Sequence, residues 1–162
     1  IIQFSSKIGV NPVLLKAVQQ TNDLQIKQIV QLIEKKLISV KNKRITILGL
    51  SFKENSDDIR ESRSIELIKI LLRKNSKIIV HDPKATKNVE RIFMNKITYA
   101  NSLSEALQNS QCVVIMTPWK VYTKLNSNDF QKMKKKLVID TRRILSGKNL
   151  NVEYLAIGLG LN

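Results

Sequence analysis

The sequence has little cysteine and no long uncharged apolar run, the features that mark disulfide-rich proteins and membrane-spanning proteins. Cys112 is the only cysteine among 162 residues, so the chain forms no internal disulfide, and a lone thiol is typical of the reducing cytosol. No uncharged apolar run approaches the ~18 residues that a membrane-spanning helix needs. These absences predict a cytoplasmic protein that has no membrane partner.

Acidic side chains are also scarce. The chain has 13 aspartates and glutamates against 28 lysines and arginines, for a formal net charge of +15. Such a charge attracts nucleic acids, anionic membrane surfaces and phosphorylated small molecules. Aromatic residues make up only 5%, whereas proteins that bind single-stranded nucleic acids stack the bases on aromatic rings. Nucleic acid is therefore a disfavoured partner, although a stand-alone basic module that binds nucleic acid or another phosphorylated ligand stays open as an alternative.

Glycine is rare, and none of the five glycines belongs to a GxGxxG motif, so the chain has no dinucleotide-binding fingerprint of its own. Short β-branched runs nevertheless alternate with helical patterns. The predicted strands are Arg44–Leu48, Lys77–His81, 112–116 and Leu137–Asp140, with weaker candidates at 97–100 and 153–157. Nearly continuous apolar strands separated by helices are typical of a parallel sheet covered on both faces. We predict an α/β fold, a Rossmann-like doubly wound sheet in three layers, with ligands at the carboxyl ends of the strands.

A long helix is predicted before this sheet. Asn11 and Pro12 form a helix-start signal, with Asn11 as the capping side chain and Pro12 in the first helical position. An apolar stripe with three-or-four spacing follows, at Leu15, Val18, Ile26, Ile29, Ile33 and Leu37. One short domain cannot cover a stripe of that length, so we expect its partner surface to come from elsewhere in a larger protein or from a second subunit. A linker near Lys41 divides the chain into a helical segment, 1–40, and a sheet domain, 41–162.

The loop after the first strand, residues 49–62, is the most informative segment. Asp58 and Glu61 have the spacing of a capping box, which predicts a helix that begins at about Ile59. Lys53 lies between this strand and this helix, where an ammonium beside backbone N–H groups suits an anionic oxygen. We interpret Asp57 and Asp58 as structural residues and predict no metal site.

The motif GLSFKENSDDIRES in this loop resembles the GxxFKxxxxDxRES signature of the UDP-glucose and GDP-mannose dehydrogenase family. Three further motifs follow in the family's order: HDPKA at 81–85, TPW at 117–119 and DTRR at 140–143. VQQTNDLQ at 18–25 is similar to part of the family's long central helix. The resemblance therefore covers nearly the whole chain.

The resemblance implies a subunit with three parts: an NAD-binding Rossmann domain, a central helix that forms a homodimer, and a C-terminal domain that binds the UDP-sugar. This chain would supply the end of the second part and all of the third. By resemblance Phe52, Lys53 and Arg142 contact the UDP-sugar, and Arg60 reaches across the cleft towards NAD. UDP-glucose and UDP-N-acetylmannosamine both stay open as the sugar nucleotide. Arg143, the neighbour of Arg142, is not separated from it by sequence alone.

The family oxidises a primary alcohol to a carboxylate in two hydride transfers and uses a cysteine thiolate as the nucleophile. Cys112 begins a strand that is predicted to be buried, where a thiol behaves as a small hydrophobic group. The family's cysteine motif would precede Ile1. We therefore expect no catalytic residue in this chain, no oxidation by it alone, and NAD held mainly by the missing N-terminal domain. His81 is assigned to a turn, and Trp119 either lines the nucleotide cleft or covers the edge of the sheet.

Overall fold

The computed structural model describes residues 1–158 and contains one six-stranded parallel sheet, with the strand order β3-β2-β1-β4-β5-β6. The strands are β1 (Arg44–Leu48), β2 (Lys77–His81), β3 (Thr98–Tyr99), β4 (Cys112–Ile115), β5 (Leu137–Asp140) and β6 (Glu153–Ala156). The helices are α1 (Ile2–Lys7), α2 (Val13–Leu37), α3 (Arg63–Arg73), α4 (Thr86–Phe93) and α5 (Leu103–Leu107). This architecture confirms the predicted Rossmann-like doubly wound fold, and each predicted strand is present. The last four positions of the predicted 41–162 domain lie outside the described residues.

The sheet separates two hydrophobic clusters, because alternate side chains of a strand point to opposite faces. On β1, Ile45 and Ile47 belong to the cluster under α2, α3 and α4, whereas Leu48 belongs to the other. The second cluster is covered by α5 and by the short 3-10 turns Tyr122–Lys124 and Asp129–Lys132, and it contains fully buried Phe130. The three layers are therefore helices, sheet, and a thinner layer of helix and turns.

Helix α2 is long, as predicted, but its apolar stripe divides into two parts. Ile26, Ile29, Ile33 and Leu37 are buried in the cluster above β1. The expectation that the whole stripe needs an outside partner is therefore wrong for these four residues. Leu15 and Val18 fit the expectation, because they remain 39% and 51% exposed. Within residues 1–158, no helix is both long enough and apolar enough to cross a lipid bilayer.

The start of α2 differs in detail from the prediction. Pro12 occupies the N-cap position and has φ −82° and ψ 67°, so the helix begins at Val13, one residue later than expected. The side chain of Asn11 does not cap the helix, because its Oδ1 accepts a hydrogen bond from Lys16 Nζ at 2.8 Å.

The start of α3 was also predicted wrongly. The helix begins at Arg63, and the hydroxyl of Ser62 accepts a hydrogen bond from the backbone N–H of Ser64 at 3.3 Å. The expected Asp58–Glu61 capping box does not form because the Asp58 carboxylate binds Arg60 instead. It accepts the backbone N–H of Arg60 at 3.0 Å and the guanidinium at 2.7 Å, and such local side-chain bonds compete with helix capping.

Candidate functional site at the carboxyl edge of the sheet

The segments that follow β1, β4 and β5 meet at one edge of the sheet, because parallel strands bring their carboxyl ends together. Phe52 and Lys53 follow β1, and Arg142 follows β5, with β4 between them. All three side chains are exposed. Phe52 is 54% exposed, whereas a phenylalanine that packs in the hydrophobic core is buried. The structure therefore places the three predicted substrate-binding residues on the same edge.

The backbone N–H groups before Lys53 are already bonded within the protein. Those of Leu50 and Ser51 donate to Oδ2 of Asp82 at 2.7 and 3.2 Å, and that of Phe52 donates to the carbonyl oxygen of Asp58 at 2.8 Å. The prediction that these N–H groups assist Lys53 in binding an anion is wrong for residues 50–52. The exposed ammonium of Lys53 is left as the candidate anion-binding group of this part of the loop.

Asp82 is a buried hub that sequence reasoning missed. The residue is only 6% exposed, and its carboxylate accepts six hydrogen bonds. Oδ2 accepts from Leu50 N, Ser51 N, Ser51 Oγ and Trp119 Nε1, and Oδ1 accepts from Lys84 N and Ala85 N. The signal was its position at the carboxyl end of β2 inside HDPKA, which was read only as a family motif. Asp82 links the segments that follow β1, β2 and β4.

Gly49 permits a close approach between the β1 and β4 loops. Its φ is +92°, and a Cβ atom there would lie 2.5 Å from the backbone nitrogen of Thr117. Only glycine has neither the conformational penalty nor the clash. The Thr117 hydroxyl then donates to the carbonyl oxygen of Ser51 at 2.7 Å. The loop that carries Phe52 is therefore anchored from β2 by Asp82 and from β4 by Thr117.

Asp140 and Met116 hold the DTRR segment. The Asp140 carboxylate is buried and accepts the N–H of Arg142 at 3.0 Å, the N–H of Leu145 at 2.9 Å and the hydroxyl of Tyr154 at 3.0 Å. The guanidinium of Arg142 donates through Nε to the carbonyl oxygen of Met116 at 2.7 Å. This bond uses Nε and directs the Arg142 side chain along the carboxyl edge. It does not use the two terminal nitrogens of the guanidinium.

The structure separates the two adjacent arginines, which sequence alone did not. Arg143 has φ +56°, and its guanidinium lies against Gly158, beyond β6. Arg142 instead lines a small cleft of about 70 Å³ between α2 and the ends of β4 and β5. Polar side chains of α2 contribute to this cleft, namely Asn22 and Gln25. Arg142 is therefore the arginine that borders the edge shared with the β1 loop.

Arg60 lies on the β1–α3 loop and forms an ion pair with Asp58 that is bidentate in geometry, with Nε at 3.0 Å from Oδ1 and Nη2 at 2.7 Å from Oδ2. The side chain of Arg60 is 86% exposed. Its hydrogen bonds are the main reason that the pKa of Asp58 falls from 3.8 to about 2, and the charge of Lys53 contributes less.

Cys112 is completely buried at the start of β4, and burial raises the pKa of its thiol. The prediction that Cys112 lies in a buried strand is confirmed. Trp119 is 6% exposed and packs in the cluster under the sheet, which excludes the cleft-lining alternative. His81 ends β2, and Tyr122 donates its hydroxyl to the His81 carbonyl oxygen at 2.8 Å.

The glycine cradle of a dinucleotide-binding site is not formed by residues 1–158. In the β1 loop the only glycine is Gly49, and Thr117 fills the space in front of it. The same edge instead carries Phe52, Lys53 and Arg142. A ring and two cations suit a ligand that has its own ring and negatively charged groups.

Comparison with known proteins gives the family. The family described as UDP-glucose/GDP-mannose dehydrogenase family, UDP binding domain, matches residues 46–147, more than half of the chain. The chain belongs to this family. The matched region includes the loop with Phe52 and Lys53 and the DTRR segment. The candidate site therefore lies within the region that matches the UDP binding domain.

Curated relatives agree with this assignment. The chain is 37% identical over 138 residues to a UDP-glucose 6-dehydrogenase of Haloferax volcanii, which covers 85% of this chain and 31% of the relative. It is 33% identical over 155 residues to a UDP-glucose 6-dehydrogenase of Rickettsia felis, with 92% of this chain and 35% of the relative covered. The chain thus spans about a third of the length of the curated relatives it matches. These relatives favour the dehydrogenase family over the stand-alone basic module.

Solved structures share the fold. A UDP-glucose dehydrogenase of Pyrobaculum islandicum superimposes with a TM-score of 0.78 and 29% identity, over 96% of this chain and 34% of that chain. A UDP-N-acetyl-mannosamine dehydrogenase of Staphylococcus aureus gives a TM-score of 0.74 at 20% identity, over 90% of this chain and 33% of that chain. The second likeness shows a common fold alone.

Proposed function

We propose that this chain is the UDP-sugar-binding part of an NAD-dependent UDP-sugar 6-dehydrogenase. Phe52, Lys53 and Arg142, all exposed on one edge of a UDP binding domain, carry the proposal. UDP-glucose is the sugar nucleotide in the names of the two curated relatives, which are 37% and 33% identical to this chain. UDP-N-acetylmannosamine is the second candidate, because the sequence motifs of this chain do not distinguish between the two sugars.

Lys53 and Arg142 would bind the diphosphate and nucleoside from two positions on the same edge, after β1 and after β5. Neighbouring strands lie about 4.8 Å apart, so β1 and β5, separated only by β4, end roughly 10 Å from each other. The Arg142 side chain shortens that gap by reaching to Met116 at the end of β4. Such a gap suits a nucleoside diphosphate, and its charge favours one cation at each end. The exposed ring of Phe52 would pack against the uridine or the sugar.

NAD would be held mainly by the N-terminal domain of the parent enzyme. The contribution proposed for this chain is Arg60, whose exposed guanidinium is kept in place by Asp58. A fixed cation at the rim of the sheet would steer an anionic group of the cofactor without enclosing it. No step of the reaction is assigned to a residue of this chain.

The chain by itself would bind substrate without oxidising it. Its one cysteine, Cys112, is buried in β4 and the pKa of its thiol is raised, whereas a nucleophile must be exposed with a lowered pKa. The oxidation would need the cysteine and the cofactor domain of the parent enzyme.

The division proposed for the chain is a helical segment, 1–40, followed by the substrate domain, 41–162. The first half of α2 exposes several large apolar side chains, and these would form a homodimer contact in the parent enzyme. They are Val13, Leu14, Leu15, Val18 and Leu24. The proposed compartment is the cytoplasm.

Titration calorimetry tests this proposal with UDP, ADP and inorganic phosphate at two salt concentrations. UDP should bind, and Lys53→Ala should weaken binding by about tenfold, the usual worth of one bond to a charged group. Lys96→Ala is the matched control, since Lys96 is an exposed lysine before β3, away from the β1 loop. The absence of heat with UDP, or an equal loss in both variants, would overturn the proposal. Salt-sensitive retention of RNA or DNA in its place would support the basic module.

A further inference from the structure

We propose that Asp82 is a positioning residue that holds the β1 loop, and with it Phe52 and Lys53, in the geometry that binds the UDP-sugar. The part of this inference that concerns the UDP-sugar rests on the proposed function. The part that concerns the conformation of the β1 loop rests on the hydrogen bonds alone. Asp82 directly follows β2, whereas the candidate ligand site is placed at the ends of β1, β4 and β5. Its effect is exerted through Leu50 and Ser51, the residues directly before Phe52.

The first argument is the distribution of the six bonds over three segments. The two backbone bonds and the hydroxyl bond from Leu50 and Ser51 hold the β1 loop, and the Trp119 indole bond, at 3.0 Å, holds the segment after β4. The bonds from Lys84 and Ala85, at 2.8 and 2.7 Å, fix the carboxylate to its own turn. One side chain thus fixes the relative positions of three strand ends.

The second argument is burial. Asp82 is 6% exposed, and none of the ion pairs within residues 1–158 includes it. A buried carboxylate needs its charge balanced by hydrogen-bond donors. All of its donors here are backbone N–H groups, one hydroxyl and one indole, and these donors exist in this arrangement only when the loop is in place. The charge of Asp82 and the conformation of the loop are therefore coupled.

The third argument is the distance along the chain. Ser51 is two residues before Lys53, and the Thr117 hydroxyl holds the Ser51 carbonyl oxygen at 2.7 Å. Ser51 is thus bonded through its nitrogen, its hydroxyl and its carbonyl oxygen, whereas Lys53 is exposed. The chain passes from a residue fixed at three atoms to a free ammonium within two peptide units. Loss of the Asp82 bonds would let Lys53 sample positions away from the ligand and would raise the entropy cost of binding.

The test compares Asp82→Asn with the unchanged chain by two measurements. Amide hydrogen exchange, followed residue by residue, should accelerate at least tenfold at Leu50 and Ser51 but stay unchanged at Ile45 in the middle of the sheet. UDP affinity should fall at least tenfold. Asn retains the shape of Asp but loses the charge and one of the two acceptor oxygens, so the change removes bonds without creating a cavity.

Ile78→Val is the matched control because Ile78 is buried and lies near the amino end of β2, the strand that Asp82 follows. It should lower the melting temperature without changing exchange at Leu50 or UDP affinity by more than about twofold. The proposal is overturned if Asp82→Asn loses no more UDP affinity than Ile78→Val when the two variants lose the same amount of melting temperature. Asp82 would then have a merely structural role.

Thr117→Val provides a second variant should Asp82→Asn not fold. It removes only the hydroxyl that holds the Ser51 carbonyl oxygen, and it should produce smaller changes of the same sign at Ser51. Unchanged exchange at Ser51 would contradict the anchoring of the loop. If the unchanged chain does not bind UDP, the proposed function fails, and so does the claim that Asp82 affects UDP binding. The hydrogen-exchange rates at Leu50 and Ser51 would still decide whether Asp82 and Thr117 hold the loop.

Discussion

The Nε–H of Arg142 donates to the carbonyl oxygen of Met116 at 2.7 Å. Met116 follows β4, which lies between β1 and β5 in the sheet. The bond therefore directs the Arg142 side chain from the end of β5 along the carboxyl edge, on the side of the β1 loop. We propose that its terminal nitrogens bind the same ligand as Lys53.

Replacing Arg142 by lysine should cost nearly as much UDP affinity as replacing it by alanine. Lysine keeps the charge, but a single ammonium cannot bond to Met116 and the ligand with the fixed fork of a guanidinium. We expect losses of about tenfold for Arg142→Lys and about thirtyfold for Arg142→Ala in calorimetry. Arg143→Ala is the control, since that guanidinium lies against Gly158. An equal or greater loss in Arg143→Ala would show that the wrong arginine was chosen.

Much of this arrangement follows from local sequence patterns. Strands such as Arg44–Leu48 and Leu137–Asp140 were predicted with their observed bounds, because continuous β-branched runs leave few alternatives. The position of Lys53 at the edge follows from its place in the loop after a parallel strand. The pattern therefore predicts which edge a residue occupies, since that depends only on strand direction.

The bonds that hold the edge were not predictable in the same way. Asp82 bonds to Leu50 and Trp119, which are more than thirty residues away in both directions, and no local pattern encodes such pairs. The Asp58–Glu61 box failed for the opposite reason, because the sequence offered Asp58 a nearer partner in Arg60. A carboxylate can satisfy several local motifs, and only the fold decides which one forms.

The carboxyl of Asp58 should titrate with a midpoint near 2, well below its ordinary value of 3.8. Since this pKa is lowered in the folded state, the stabilisation is complete above pH 3.8 and is lost as the pH falls towards 2. Arg60→Ala removes the hydrogen bonds that cause the shift and should raise the midpoint towards 3.8. Carbon-detected NMR titration of the carboxyl measures this. Arg73→Ala, at the far end of α3, should not move it, and a midpoint near 3.8 in the unchanged chain would refute the ion pair.

Cys112 should be unreactive towards thiol reagents while the chain is folded. Burial both raises the pKa of the thiol and blocks the reagent, so the reaction requires opening of the sheet. We expect a rate at least about 100-fold below that of the chain unfolded in guanidinium. Rapid modification in the native state would contradict the buried position and would reopen the question of a nucleophile in this chain.

The exposed half of α2 should promote self-association. Val18→Glu places a charge among Leu14 and Leu15, which are 76% and 39% exposed, and it should lower the mass seen by light scattering if these residues form the contact. Gln20→Glu is the control, because position 20 lies on the opposite side of the helix from position 18. A chain that is monomeric at every concentration would contradict the proposed contact.

Mapping backbone amide shifts during a UDP titration tests whether the two cations share one ligand. Binding at the carboxyl edge predicts the largest changes at Phe52, Lys53, Thr141 and Arg142, with small changes at the amino ends of the strands. Shifts concentrated around α4, or none at saturating UDP, would show that the β1 and β5 loops do not form the nucleotide site.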